Sequence, residues 1–201
     1  VNTYNIFPTT VGIVELKREL TQTEKTFILN QDKKKNEGNT TSVDNYILKK
    51  KKLNDLKKFI EDSVTEYVNK LYSPKTDLNV YVTQSWINYT EKGQYHHKHA
   101  HPNSFISGVF YVNADITKDK IHFYKNVYEQ FQIEPKEWNV SNSPSWWFEV
   151  GTGKLILFPS SLTHMVKTVE SEETRISLSF NTFIKGKLGI NLDLTELILG
   201  D

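Results

Sequence analysis

Four of the six histidines in this 201-residue chain fall within six residues, in the run Gln94-Tyr95-His96-His97-Lys98-His99-Ala100-His101-Pro102; the other two are His122 and His164. Imidazole suits several transition metals, so a cluster this dense reads as half of a metal site. The chain has no cysteine. A thiolate site, a zinc ribbon, an iron–sulfur cluster and a disulfide scaffold are therefore excluded, and any ion must be held by His, Asp or Glu. In extended chain, residues two apart share a face. That period predicts His97, His99 and His101 on one side, with His99 and His101 at the mouth of the strand Phe105-Ile106-Ser107-Gly108-Val109-Phe110-Tyr111-Val112. An expression tag would lie at a terminus, whereas this run lies between two strand-like segments.

A third imidazole comes from far along the chain. His164 follows the apolar run Leu155-Ile156-Leu157-Phe158 and the turn Pro159-Ser160-Ser161. Eleven residues after it begins Arg175-Ile176-Ser177-Leu178-Ser179-Phe180-Asn181, which alternates strictly. Ile176, Leu178 and Phe180 need packing, so Arg175, Ser177 and Ser179 face either solvent or a cavity. A guanidinium with a hydroxyl two residues on can clasp a carboxylate, offering a bidentate fork plus an O–H donor. Taken alone, Arg175 reads better as a surface ion pair; placed on the strand after His164, it reads as an anchor. Fe(II) on facial ligands keeps open positions. The co-substrate 2-oxoglutarate fills two of them with its keto acid and needs a cation for its far carboxylate, leaving the last for O2. Arg175 and Ser177 are predicted to hold that carboxylate.

The elements that must position these groups come in two textures. Hydrophobic residues make up 37% and aromatic residues 12% of the chain, a globular composition, and the length suits one domain. Residues 4–16 read as extended chain with a turn near Pro8. Thr21-Gln22-Thr23-Glu24 is a capping box and predicts a helix over 22–31. Residues 31–45 are polar, contain Gly38 and read as an exposed loop. After Lys49 to Lys52, the residues Leu53, Leu56, Ile60, Val64, Tyr67, Val68 and Leu71 recur at helical spacing, and Pro74 ends that helix near Tyr72. The lysine run reads as a solvated helix start rather than a nucleic-acid patch. From residue 79 short apolar runs alternate with turn formers. They predict strands over 79–89, 105–113, 121–125, 128–133, 146–150, 154–158, 164–169 and 175–184. The pattern suggests a mainly β sandwich or barrel with N-terminal helices packed outside, with neither a repeat nor a second domain boundary. The net charge of +1 argues against nucleic acid and acidic membranes as partners. No apolar run is long enough to span a bilayer and no signal pattern opens the chain, so a soluble cytoplasmic protein is expected.

Three blocks carry a resemblance to a known family. They are His99-Ala100-His101-Pro102 with Ser107-Gly108-Val109-Phe110-Tyr111-Val112, Leu157-Phe158-Pro159-Ser160 with His164, and Arg175-Ile176-Ser177-Leu178-Ser179-Phe180-Asn181. These are similar to segments of a small bacterial and bacteriophage family of 2-oxoglutarate–Fe(II) oxygenases, and Phe7-Pro8-Thr9-Thr10 resembles that family's start. The resemblance covers nearly the whole chain and is weak over 25–75. It implies a double-stranded β-helix (jelly roll, cupin-like), as helical support over 1–75, a β-helix core over 76–185 and a tail over 186–201. It implies His99 and His164 as iron ligands and Arg175 as co-substrate anchor, with Ser177 assisting and Tyr111, Ser107 and Asn181 in the same pocket.

The wider superfamily carries His-x-Asp where this chain has His99-Ala100-His101. The third ligand is therefore His101 or a carboxylate from elsewhere, Asp115 or Glu91. Phe123-Tyr124-Lys125-Asn126 also departs from relatives, which more often carry Asp-Pro after the aromatic. Trp86, Gln84 and Asn88 are candidates to line or support the site, with core packing the better reading of Trp86; Trp146 and Trp147 either cover the entrance or simply pack. The implied activity is hydroxylation of a C–H bond in a small molecule or a protein side chain, in the host cytoplasm if the gene is a phage's. Three rivals stand beside it: a three-histidine cupin-type dioxygenase without 2-oxoglutarate, a non-catalytic binding or virion-associated module, and a zinc hydrolase, which lacks an obvious carboxylate base. Residues 31–45 and 185–201 are candidates for homodimer contacts or for covering the site.

Overall fold

The computed structural model describes residues 1–76, 78–127 and 130–200. Helix α1 (Gln22–Leu29) starts at the capping box. Thr21 Oγ1 accepts from the Glu24 amide at 3.2 Å, and the Glu24 carboxylate accepts from the Thr21 amide at 2.7 Å. Arg18 grips both carboxylate oxygens of Glu24 at 2.7 Å. Helix α2 (Asn54–Tyr72) buries the predicted stripe of Leu56, Ile60, Val64, Tyr67 and Val68 and ends at Ser73, which is left-handed (φ 42°) before Pro74. Two 3-10 turns, Ile47–Lys49 and Lys51–Leu53, precede it. The lysine run thus lies in these turns rather than in the helix. The turns persist because Ile47 and Leu48 are buried and the Leu48 amide donates to Ser85 Oγ at 2.9 Å.

Twelve strands are described: β1 (Gly12–Glu15), β2 (Lys33–Lys35), β3 (Thr40–Ser42), β4 (Asn79–Thr90), β5 (His96–His99), β6 (Ile106–Asn113), β7 (Lys120–Tyr124), β8 (Ser145–Glu149), β9 (Lys154–Pro159), β10 (His164–Val166), β11 (Arg175–Leu188) and β12 (Leu197–Leu199). The larger sheet runs β1-β9-β6-β11-β4-β3-β2, with β12 also on β11, and the smaller runs β5-β10-β7-β8. Every paired strand is antiparallel. Together the two sheets form a jelly roll.

The central strands of the larger sheet are buried on both sides. One face packs Ile87, Tyr89, Phe110, Leu157, Ile176, Leu178 and Phe180 against α2 and the turns before it. The other face meets the smaller sheet through Val109, Tyr111, Ile156 and Phe158 against Ile121 and Phe123. Where β6 pairs with β11, Gly108 stands opposite Phe180, and a side chain there would place its Cβ 2.3 Å from Phe180 Cζ, so only glycine lets that ring lie over the strand. Among the described residues no helix is long and apolar enough to cross a membrane.

Two expectations need correction. Residues 31–45 form a hairpin, β2–β3, that widens the larger sheet beside β4. Its inner polar residues are satisfied by β4: Asn39 Nδ2 donates to Thr90 Oγ1 at 3.2 Å and Thr41 Oγ1 to the Ile87 carbonyl at 2.9 Å. Composition alone cannot distinguish a paired polar strand from a solvated loop. No strand forms over 130–133, where Phe131 and Ile133 stay exposed; residues 128 and 129 of that predicted strand lie outside the described residues.

Candidate metal centre

The alternation of β11 places the anchor. Its apolar residues fill the helix-side core, so Arg175, Ser177 and Ser179 turn into the space between the sheets, where all three line one cavity. Strand β4 runs beside it in register, Ser177 opposite Asn88 and Ser179 opposite Trp86, and adds Asn88 and Trp86 to the same lining. From β6 comes Tyr111, and from the smaller sheet come His96, His99 and His164. Trp86 therefore does not serve as a core residue. It stacks on His101 with ring centroids 5.7 Å apart.

The histidine run is itself strand β5, and its irregularity decides which rings face inward. His164 pairs with His99 but Val166 pairs with His96, a two-against-three register shift. A bulge of this kind breaks the period of two. His96 and His99 therefore both reach the cavity, and His97 does not line it. His97 sits instead with Nδ1 3.8 Å from a Glu37 carboxylate oxygen. Sequence periodicity picks His97 and misses His96; a bulge leaves no mark in the residue types.

His99, His101 and His164 present ligand nitrogens that all lie within 4.8 Å of one another. His101 Nε2 and His164 Nε2 are 3.3 Å apart. His99 Nδ1 lies 2.8 Å from the His97 carbonyl and His164 Nδ1 3.0 Å from the Leu162 carbonyl. A carbonyl can only accept, so each Nδ1 carries the proton and each Nε2 presents a bare lone pair. The 3.3 Å spacing of the His101 and His164 Nε2 atoms suits neighbouring ligands of one ion, about 3 Å apart for metal–imidazole bonds near 2.1 Å. Burial lowers all three pKa values, with neighbouring imidazoles adding to it: His101 to about 4, His164 to about 2, and His99 in the same direction. The cluster is thus neutral at pH 7, as a metal requires. The donor set fits a divalent transition metal.

Behind the imidazoles the cavity ends in a charge. Arg175 is 3% exposed, and no Asp or Glu among the described residues pairs with it. Its guanidinium lies 5.0 Å from the centroid of the Tyr111 ring. Arg175 Nε, the Tyr111 hydroxyl and Asn88 Oδ1 are buried without hydrogen-bond partners. Burial pushes the Tyr111 phenol up to about 12 against the pull of Arg175, so it stays a donor. Buried polar groups normally find partners. The two orphan donors, Arg175 Nε–H and the Tyr111 hydroxyl, beside one unpaired cation describe a pocket for an anion, whereas Asn88 Oδ1 can only accept.

Other predicted residues fall elsewhere. Ser107 and Asn181 are buried and bonded to each other at 2.9 Å, but do not line the cavity. Asp115 bonds Thr117 at 2.7 Å in an exposed turn, and Glu91 is exposed; neither stands with the histidines. Gln84 is exposed. Trp146 and Trp147 stack on each other at 5.2 Å on β8, away from the cavity lining.

Residues 84–181 match the family model described as "Putative 2OG-Fe(II) oxygenase". No curated protein matches the chain. Among solved structures it is similar to an oxidoreductase of the 2OG-Fe(II) oxygenase family from Burkholderia pseudomallei, at 14% identity and a TM-score of 0.58, over 85% of this chain and 84% of that one. It is also similar to HygX from Streptomyces hygroscopicus, solved with nickel, 2-oxoglutarate and hygromycin B bound, at 9% identity and a TM-score of 0.60, over 87% and 82%. At such identities the likeness is one of fold.

Proposed function

We propose that this chain, which through residues 84–181 belongs to the 2OG-Fe(II) oxygenase family, holds Fe(II) on His99, His101 and His164 and the far carboxylate of 2-oxoglutarate on Arg175 and Ser177. The observation that carries the reading is the buried, unpaired guanidinium in the same cavity as the three converging imidazoles. An isolated buried cation is costly unless something anionic pairs with it. A dianionic co-substrate supplies that pair, and its keto acid also balances the two positive charges that three neutral imidazoles leave on the ion.

When bound, the iron supplies the redox chemistry of the reaction, coupling oxidative decarboxylation of the 2-oxo acid by O2 to hydroxylation of a substrate C–H bond. The chain's own groups bind, orient and exclude. The backbone carbonyls of His97 and Leu162 fix two ring tautomers. Arg175 gives a bidentate fork to the carboxylate, while Ser177 and the protonated Tyr111 add O–H donors. Asn88, whose amide touches Ser179 Oγ at 3.0 Å, closes the pocket beside them. Val109, Ile121 and Val166 complete the lining with apolar surface, which keeps water from the anion and strengthens its pairing. The substrate is a small molecule or a protein side chain.

Anaerobic addition of Fe(II) and then 2-oxoglutarate should raise the weak visible charge-transfer band of the chelate, and admitting O2 should yield succinate. Turnover of a substrate with no 2-oxoglutarate present would instead favour the three-histidine dioxygenase. Absence of both the band and succinate would reject the assignment.

A further inference from the structure

The ring of His99 is the hub of the histidine run. Its centroid lies 4.7 Å from that of His96, 4.8 Å from His97, 4.9 Å from His101 and 4.4 Å from His164. His101 and His164 complete the triad proposed above. The other two neighbours belong to a second group: His96, His97 and His99 also present ligand nitrogens that all lie within 4.8 Å of one another. A regular strand would send the adjacent His96 and His97 to opposite faces. The bulge that sets Val166 against His96 and His164 against His99 breaks that alternation, and the rings of His96 and His97 stand with centroids only 5.2 Å apart. Imidazole suits several divalent transition metals.

The β2–β3 hairpin, which the co-substrate pocket does not use, brings a carboxylate to this second group. Gly38 in its turn is left-handed (φ 83°), and its carbonyl accepts from the Tyr95 amide at 3.1 Å. A side chain on Gly38 would set its Cβ 2.6 Å from the Tyr95 carbonyl oxygen, so glycine is what lets the turn press on the chain just before β5. Beside it Glu37 reaches His97, with Oε2 3.8 Å from Nδ1. That is too long for a hydrogen bond, and among the described residues His97 Nδ1 is buried with no hydrogen-bond partner. Ligand atoms of one ion with bonds near 2.1 Å stand about 3–4 Å apart, so the gap suits a shared ion better than a shared proton. Glu37 also supplies the negative charge that the inner triad obtains only from its co-substrate.

We propose that His96, His97 and His99, with Glu37 opposite, form a second site for a divalent transition metal, an outer one that shares His99 with the inner triad and so alternates with it. Sharing follows from the tautomer. His99 Nδ1 is committed to the His97 carbonyl, which leaves Nε2 as its single lone pair. The outer site is the shallower and looser of the two. His96, His97 and His99 are half-buried and Glu37 is intermediate to exposed at 66% of its side chain, whereas His164 is buried. Backbone carbonyls fix two of the three inner rings, His99 and His164, but only His99 of the outer ones. The site itself stands whether or not the inner triad holds iron; only its alternation rests on the function proposed above.

The test titrates Co(II), whose visible bands report ligand number and geometry, into the whole chain with no 2-oxoglutarate present. The double variant His101→Ala/His164→Ala removes the inner triad and keeps the outer one. It should still take up a single equivalent, with bands unlike the parent's, held weakly enough to be lost on dialysis. Adding His97→Ala should abolish that uptake, and adding Glu37→Gln should shift its bands. No uptake by the double variant, or uptake indifferent to His97→Ala, would overturn the site; bands unmoved by Glu37→Gln would take Glu37 out of it. Should the double variant fail to fold, His101→Ala alone replaces it, with His97→Ala added in the same way and the same outcomes deciding. The parent preloaded with Zn(II) should take up no further Co(II), and uptake there that depends on His97 would overturn the sharing of His99. His97→Ala in the otherwise unchanged chain separates this site from the iron assignment. Retention of the parent's tight ion is the expected result; its loss would place that ion on the outer triad, so that the inner ligand set falls while this site stands.

Discussion

Replacing Arg175 by methionine should move stability and binding in opposite directions. Methionine keeps much of the side-chain volume and all of the apolar stem but removes a charge that is 3% exposed and paired with no carboxylate among the described residues. Exchanging buried charge for well-packed apolar groups is often neutral or stabilising, by about 1–4 kcal/mol. Against this stands the lost contact with the Tyr111 ring, 5.0 Å away, worth about 0.5–2 kcal/mol. The ligand-free Arg175→Met protein should thus unfold at the same midpoint as the parent or up to about 2 kcal/mol higher. For a chain of this length that is a rise of about 4–8 °C in Tm, at roughly 2–4 °C per kcal/mol. Binding should go the other way. Leaving a buried carboxylate without its cation costs about 3–5 kcal/mol, or about 10²–10⁴-fold in Kd for 2-oxoglutarate at 1.4 kcal/mol per tenfold. Thermal unfolding of the ligand-free proteins gives the first quantity, and calorimetric titration of 2-oxoglutarate into Zn(II)-loaded proteins gives the second. A variant that is more than about 2 kcal/mol less stable than its parent yet binds 2-oxoglutarate within threefold would show that Arg175 is a structural ion and that the pocket reading is wrong.

Three further outcomes are expected. His164→Ala removes a ligand whose ring is fixed on the Leu162 carbonyl, and metal analysis after dialysis should find it free of iron while the parent retains the ion. Gly108→Ala would set a Cβ 2.3 Å from Phe180 Cζ and 2.9 Å from Leu157 Cδ2; overpacking there should cost about 1–3 kcal/mol in urea unfolding, without altering metal affinity. Glu24 lies in the capping box with both oxygens on Arg18. Burial pushes its carboxyl up, but the bonds from Arg18 and Thr21 outweigh this and hold it below the ordinary carboxylate range. A depressed folded pKa contributes stability that is fully present at pH 7 and is lost as pH falls through that pKa. Glu24→Gln should accordingly be less stable than the parent by about 2 kcal/mol at pH 7, with the gap narrowing below pH 4.5; a gap that does not change with pH would contradict the assignment.

Much of the molecule is legible in residue types alone. The α1 cap, the apolar stripe of α2 and its end at Pro74, and the alternation of β11 follow from local rules: hydroxyl and carboxylate at fixed offsets, a period near 3.6, a period of two. The absence of cysteine restricts a metal to imidazole and carboxylate. The spacing of Arg175 and Ser177 suits a carboxylate clamp, and their apolar neighbours put the pair on the opposite face, toward either solvent or a cavity.

Tertiary structure decided the rest. A register shift opposite β10 chose His96 over His97 for the cavity, and bulges are set by how two strands pair, not by the residues of one. Polar residues 31–45 became a paired hairpin because partners on β4 satisfied their donors, information held some fifty residues away. Trp86 turned into the site because it alternates with Ile87, which the helices claim. Ser107 and Asn181 face each other where β6 pairs with β11 and bond to each other at 2.9 Å instead of lining the cavity. Periodicity says which face a side chain takes; only the pairing of distant strands says what that face meets.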